Sequence, residues 1–306
     1  MAHLCASPYD TALALEANGY LADEGLATAV YLALALGRPL LLEGEAGVGK
    51  TEVAKALSRW SGGRLIRLQC YEGIDVAQAV YDWDYSRQLL HIRAAEASGE
   101  AGALSTAAIE RRLYDEQFLV RRALLDAIDN SDPIPPVLLI DEIDRADDEF
   151  EAYLLEFLSD HQITVPELGV FTADPPPIVI LTSNRTRDVH DALKRRCLYH
   201  WVEHPSFERE VQIVRLKAPT VTPMLAAQVA AAIELMRELR LYKPPGVAES
   251  IDWAAALGSL GARTLDEHTA EATLGTVLKY REDHERVRAH GLSGLVERAL
   301  ARSASA

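Results

Sequence analysis

The sequence predicts a parallel, doubly wound α/β domain followed by a region built from helices alone. Three observations predict it. Short apolar runs alternate with helical periodicity as far as Pro205. A glycine-rich loop joins the first of those runs to an amphipathic helix. Beyond Pro205 only helical spacing remains.

The elements follow in order. Leu26–Leu36 is apolar and Ala-rich, which suits a helix, and Gly37-Arg38-Pro39 breaks it. Leu40–Leu42 is a fully apolar run that suits a buried parallel strand. After the glycine loop, Val53, Leu57 and Trp60 recur at helical spacing. Leu65–Cys70, Val137–Ile140, Ile178–Thr182 and Leu198–Val202 supply four more strands. The long stretch between the second and third strands exceeds a plain connection. Within it, Ala94–Ala108 has a composition expected to be mobile, and Phe118–Ile128 returns to helical spacing before Pro133, Pro135 and Pro136. In the C-terminal region Leu225, Val229, Ile233 and Met236 share one helical face. Lys243-Pro244-Pro245-Gly246 ends that segment, and a further helix is expected near Ser250. These shifts place domain boundaries at 1–204 and 205–306, with a frayed tail from Arg302 to Ala306.

Composition narrows the function. The chain has 306 residues, 49% hydrophobic and 25% charged, as in ordinary globular proteins. No run approaches the roughly 18 apolar residues of a membrane span, and Asp10 and Glu16 replace the basic start of a signal peptide. No membrane insertion and a cytoplasmic location are expected. Cys5, Cys70 and Cys197 are too sparse for a disulfide framework, and Cys70 reads as a small buried hydrophobe. His200 and His204 lack a third ligand for a metal. The net charge of −15 offers a phosphate backbone no obvious electrostatic footprint, so nucleic acid is not the expected partner.

The strongest motif is Gly44-Glu45-Ala46-Gly47-Val48-Gly49-Lys50-Thr51, which fits G-x-x-x-x-G-K-[ST] in full. Its glycines let backbone N–H groups wrap phosphate oxygens. Lys50 places a charge near the β- and γ-phosphates, the Thr51 hydroxyl suits Mg²⁺, and the next helix points its positive end at the anion. The expected ligands are ATP and Mg²⁺. Val137-Leu138-Leu139-Ile140 then leads into Asp141 and Glu142 at the carboxyl edge of a strand. Asp141 is expected to hold the metal through water and Glu142 to polarise the attacking water. Most of the other charges in the acidic Asp141–Asp160 stretch read as one solvated helix face, because Phe150, Leu154, Phe157 and Leu158 form the apolar stripe. Asn184, after Ile178–Ser183, is either a cap or a group that orients the attacking water. Arg195 and Arg196 either complement a helix dipole or reach a neighbouring subunit's ATP as an arginine finger, with Arg196 placed ahead of Arg195.

The glycine loop, Leu139–Ala146, Thr182-Ser183-Asn184 and Leu193–Arg196 together resemble the MoxR family of AAA+ ATPases. Leu68–Gly73, Tyr81–Tyr85 and Leu241–Gly246 are similar to the MoxR-type members encoded beside molybdenum–copper carbon monoxide dehydrogenase. The resemblance implies an AAA+ core with sheet order 5-1-4-3-2 and a helical lid. It implies an insertion in the second helix at about 73–94 and a hairpin before the fourth strand at about 162–171. It further implies a hexameric, chaperone-like ATPase that remodels or matures a client, here a molybdenum-containing metalloenzyme, alongside a partner with a von Willebrand factor A domain. A nucleic-acid translocase or loader is the alternative that the same class allows. By the same resemblance Tyr20 and Leu21 contact adenine, and Gln69 restrains Glu142. Family members carry a lid arginine in a short Gly/Ser-Pro-Arg turn. The matching stretch here, Gly246-Val247-Ala248-Glu249-Ser250, has none, so either Lys243 or Arg240 substitutes or the lid does not sense nucleotide directly.

Overall fold

The computed structural model describes residues 6–98, 112–130 and 132–304. The chain forms two compact units, one of residues up to 11, 27–42 and 57–200, the other of residues 12–26, 43–56 and 201 onward.

A five-stranded parallel sheet organises the α/β part, built from β1 (Leu40–Glu43), β2 (Leu65–Gln69), β5 (Val137–Asp141), β8 (Ile178–Ser183) and β9 (Leu198–Trp201). Its order is β2-β5-β8-β1-β9, which is the expected 5-1-4-3-2 read from the other edge. Every residue of β1, β5 and β8 is buried, as parallel strands covered on both faces require. The edge strand β2 alternates instead, turning Arg67 and Gln69 outward. Register sets Gln69 beside Asp141, and Ile140 beside Leu181.

Two smaller sheets decorate this frame. β3 (Tyr81–Trp83) pairs antiparallel with β4 (Leu119–Arg121), and Trp83 meets Tyr114 edge to face at 5.1 Å. β6 (Gln162–Val165) and β7 (Gly169–Thr172) form a hairpin. The helical spacing over Phe118–Ile128 therefore misleads: Leu119–Arg121 is a strand, and the helix is confined to Ala123–Ile128. Pairing with a distant partner overrides local periodicity there. The segment expected to be mobile is helical up to Ser98, in the helix Tyr85–Ser98, and its remainder lies outside the described residues, as does Cys5.

The second unit holds its own core. In the helix Pro223–Arg237, Leu225, Val229, Ile233 and Met236 are fully buried, as are Ala226 and Ala230–Ala232, so the helix is apolar on more than one face. Thr222 caps it and Pro223 opens it, the favoured arrangement for a helix start. The next helix begins at Val247, three residues ahead of Ser250. The last helix runs Leu292–Ala304, so the tail is ordered through Ala304 rather than frayed from Arg302: Leu295, Val296 and Ala299 bury its inner face. Among the described residues no helix is long and apolar enough to cross a membrane.

Candidate functional site

The phosphate loop leaves the buried end of β1. Gly47 and Gly49 have φ of 84° and 95°, a left-handed conformation that favours glycine. Gly44 is needed for space, since a Cβ there would lie 2.4 Å from the Val202 carbonyl oxygen. Lys50 opens the helix Lys50–Ser61, and its nearly buried ammonium donates to the Gly44 and Glu45 carbonyls at 2.8 and 2.7 Å. Thr51 follows in the first turn, Val48 is buried, and Ala46 is exposed. The Glu45 carboxylate is 3.0 Å from His204 Nε2, so that histidine serves the loop's flank. Tyr20 reaches the loop as well, with Cε2 3.8 Å from the Cβ position of Gly49. Burial raises its phenol well above the ordinary value, with Asp23 adding to the effect. The Leu21 carbonyl accepts from Arg209 at 3.2 Å. These residues fit a triphosphate: glycines that close packing or a positive φ requires, a lysine and a hydroxyl after them, and a helix N-terminus behind.

The second group forms at the carboxyl end of β5. Asp141 is buried, accepts a 2.5 Å hydrogen bond from the Thr182 hydroxyl and pairs with Arg67 at 2.5 Å. Arg67 also donates to Gln69 Oε1 at 2.6 Å. Glu142 has φ 55° and ψ 51°, an uncommon conformation for a residue with a side chain. Its N–H donates to Thr182 Oγ1 at 2.9 Å. Three side chains converge on its carboxylate: Gln69 Nε2 at 3.1 Å, Asn184 Nδ2 at 3.2 Å and Arg145 Nε at 2.9 Å. The structure thus brings Gln69, Asn184 and Glu142 together. An acid side chain such as Asp141 suits a hydrated divalent cation, with Thr182 on one oxygen and Arg67 on the other.

Two acids in the Asp141–Asp160 stretch are not on a solvated face. Asp144, 2% exposed, accepts from the Asn184 N–H at 3.2 Å, and from the Thr186 N–H and hydroxyl at 2.9 and 2.6 Å. Burial opposes its ionisation, but the Thr186 and Asn184 hydrogen bonds outweigh that and hold its pKa below the usual carboxylate value. Glu151, 1% exposed, pairs with Arg187 and accepts from the His190 N–H at 2.8 Å. A polar loop that must fold back over a helix needs such internal acceptors.

Arg195 and Arg196 end the short helix Asp191–Arg196, both exposed. Arg196 Nε donates to Ser159 Oγ at 2.7 Å and its NH1 to the Ala192 carbonyl at 3.2 Å. The Arg195 carbonyl accepts from Arg38 at 2.9 Å. Sequence reasoning missed Arg67, Thr182 and Thr186. The alternation of Arg67 with Gln69 along β2, and the two hydroxyl residues that end the otherwise apolar β8, were the signals available.

A family model described as "AAA domain (dynein-related subfamily)" matches residues 39–197, just over half of the chain. No curated protein matches the sequence. Among solved structures, a candidate ATPase from Cytophaga hutchinsonii is 12% identical, with 96% of this chain and 94% of that one covered at a TM-score of 0.47. The Thermotoga maritima RuvB Holliday junction branch migration motor is 16% identical, with 81% and 66% covered at 0.46. A mutant of that RuvB is 15% identical, with 85% and 70% covered at 0.49.

Proposed function

Because the chain belongs to the dynein-related subfamily of AAA domains, and is thereby an AAA-type ATPase, we propose that it is a MoxR-type member that spends ATP on remodelling or maturing a partner protein. The observation that carries the hydrolytic half of this reading is the Glu142 carboxylate, held at the end of a buried strand by Asn184, Gln69 and Arg145.

The loop N–H groups and Lys50 bind the phosphates. Thr51 and Asp141 would hold Mg²⁺, which when bound would supply charge neutralisation for phosphoryl transfer. Glu142 accepts the proton of the attacking water, and Asn184 orients both. Gln69 holds Glu142 on its other oxygen, so that turnover requires the amide to release it. Arg196, or Arg195 beside it, completes the site of a neighbouring subunit in a hexameric ring, where an arginine neutralises transition-state charge. Tyr20 and Leu21 flank the adenine.

The client half rests on the segments Leu68–Gly73, Tyr81–Tyr85 and Leu241–Gly246, which support a CoxD-type member acting on a molybdenum-containing enzyme with a von Willebrand factor A partner. Turnover by the purified chain, compared with Glu142→Gln and Gln69→Ala, tests the hydrolytic half. Activity lost in the first and raised in the second is expected; equal turnover in all three would refute it. For the client, ATP and this chain should raise the activity of an immature molybdenum enzyme, and no gain over ATP alone would remove that assignment.

A further inference from the structure

Where family members carry a lid arginine, this chain makes a backbone contact. The N–H groups of Val247 and Ala248 both donate to the Gly47 carbonyl of the phosphate loop, at 2.9 and 3.3 Å. They belong to the first turn of the helix Val247–Ser259, where N–H groups have no partner inside the helix. The two glycines on either side touch. A Cβ on Gly246 would lie 2.8 Å from Gly47 Cα and 2.9 Å from its carbonyl carbon and oxygen. Gly246 has φ −87° and ψ −173°, an extended conformation open to any residue, so glycine is required there by the close approach and not by the backbone.

The turn that makes this contact is firmly mounted on its other side. Arg237 donates from Nε to the Pro245 carbonyl at 2.8 Å and forms a two-pronged pair with Glu210 at 2.6 and 2.8 Å. The Ser250 hydroxyl donates to the same Glu210, and Glu249 accepts from the Gly246 N–H at 2.9 Å.

We propose that this contact couples the helical region to phosphate binding: the Val247–Ala248 turn positions the Gly47–Val48 peptide as a phosphate donor. A planar trans peptide shows its carbonyl and the following N–H on opposite sides. With the Gly47 oxygen held by two lid amides, the Val48 N–H is fixed pointing away from the lid helix. It is one of the N–H groups that such a loop offers to phosphate, and donation to the carbonyl of its own peptide polarises it. Coupling of this kind is reciprocal, so phosphate in the loop tightens the lid contact in turn. Gly246, Val247 and Ala248 are then positioning residues. The inference rests on the reading of the loop as a nucleotide site.

Val247→Pro is the test. Val247 is the first helical residue, a position that favours proline, and Gly246 before it already has the extended conformation that a following proline demands. The substitution deletes the shorter hydrogen bond and keeps the helix. Calorimetric titration of the full chain with a non-hydrolysable ATP analogue should show affinity weakened roughly three- to tenfold, the range one backbone hydrogen bond supports. Adenosine, which lacks the phosphates, should bind both proteins equally. In the unaltered chain, amide exchange at Val247 and Ala248 should slow when the analogue is added. Equal analogue affinity in the two proteins, or exchange indifferent to the analogue, would overturn the proposal; if Val247→Pro does not fold, the exchange measurement decides alone. An unaltered chain that binds no analogue would remove the nucleotide reading and the coupling with it. Binding that Lys50→Ala abolishes and Val247→Pro leaves intact would remove the coupling only.

Discussion

Glu142 sits in left-handed backbone, where a non-glycine residue costs on the order of 1–3 kcal/mol, and that strain holds its carboxylate within reach of Gln69, Arg145 and Asn184. A carboxylate needed only for packing would have no use for such a conformation. Glu142→Gln keeps the shape and the hydrogen-bonding reach but cannot take a proton. ATP binding should persist while turnover falls on the order of 10²-fold or more, measured by phosphate release; near-normal release would take Glu142 out of the mechanism. Asp144 acts one step back, holding the loop that carries Asn184. Asp144→Asn trades a charged acceptor for a neutral one and should cost about 1.5–3 kcal/mol in urea unfolding at neutral pH. Because the folded pKa of Asp144 is depressed, its contribution is complete above the unfolded value of about 3.9 and is lost as pH falls through the lower folded value. The stability gap between the two proteins should therefore close below about pH 4; a gap constant down to pH 2 would show that the charge of Asp144 is not what matters. The placement of Asp141, Glu142 and Asn184 in or next to a strand's polar end was legible in the sequence. Asp144 and Glu151 were not, because a buried acid and a solvated one look alike until the loop that they hold is placed above them.

At the scale of elements, the helical region turns on one buried ion pair. Glu210, 1% exposed, stands on the helix Phe207–Lys217 and is gripped by both prongs of Arg237 from the helix Pro223–Arg237. Removing one partner strands a buried charge, so Arg237→Ala should lower stability by about 3–5 kcal/mol. Replacing both residues with methionine should restore most of it, since well-packed apolar residues commonly match a buried pair. Chemical denaturation of the three variants tests this, and a double variant as unstable as Arg237→Ala would point to lost packing instead. Arg237→Lys is not expected to rescue, because a single ammonium cannot span two carboxylate oxygens and the Pro245 carbonyl. The elements differ in how visibly the sequence announces them. The strands β1, β5 and β8 are continuous apolar runs with polar ends because helices cover both faces of a parallel sheet, and that burial is written into every residue. Leu119–Arg121 instead becomes a strand only through Tyr81–Trp83, far away in the chain, so its own spacing reads as the start of the helix that follows.

Assembly is the scale at which the proposed role of Arg195 and Arg196 is tested. Among the described residues of the single chain, the Arg196 guanidinium donates to neutral acceptors, the Ser159 hydroxyl and the Ala192 carbonyl. Exposed hydrogen bonds of that kind are worth about 1 kcal/mol each, which a neighbouring subunit's triphosphate easily outbids. If the finger acts in trans, the site is complete only when one subunit abuts the next, and turnover per subunit should rise with protein concentration. Arg196→Ala should then bind ATP normally and hydrolyse it poorly, losing on the order of 10³-fold when fully assembled. Mixed with Glu142→Gln protein, it should partly recover. In a mixed ring some interfaces set the intact Glu142 of an Arg196→Ala subunit against the intact Arg196 of its neighbour. A finger acting within its own subunit predicts no recovery, because every chain in the mixture lacks one of its own two groups. The choice between neighbours is read in the same assay: a nearly silent Arg196→Ala beside an inactive Arg195→Ala moves the role one residue back. Normal hydrolysis by both variants at every concentration would end the ring-dependent mechanism, while leaving the phosphate loop and its lysine where they are.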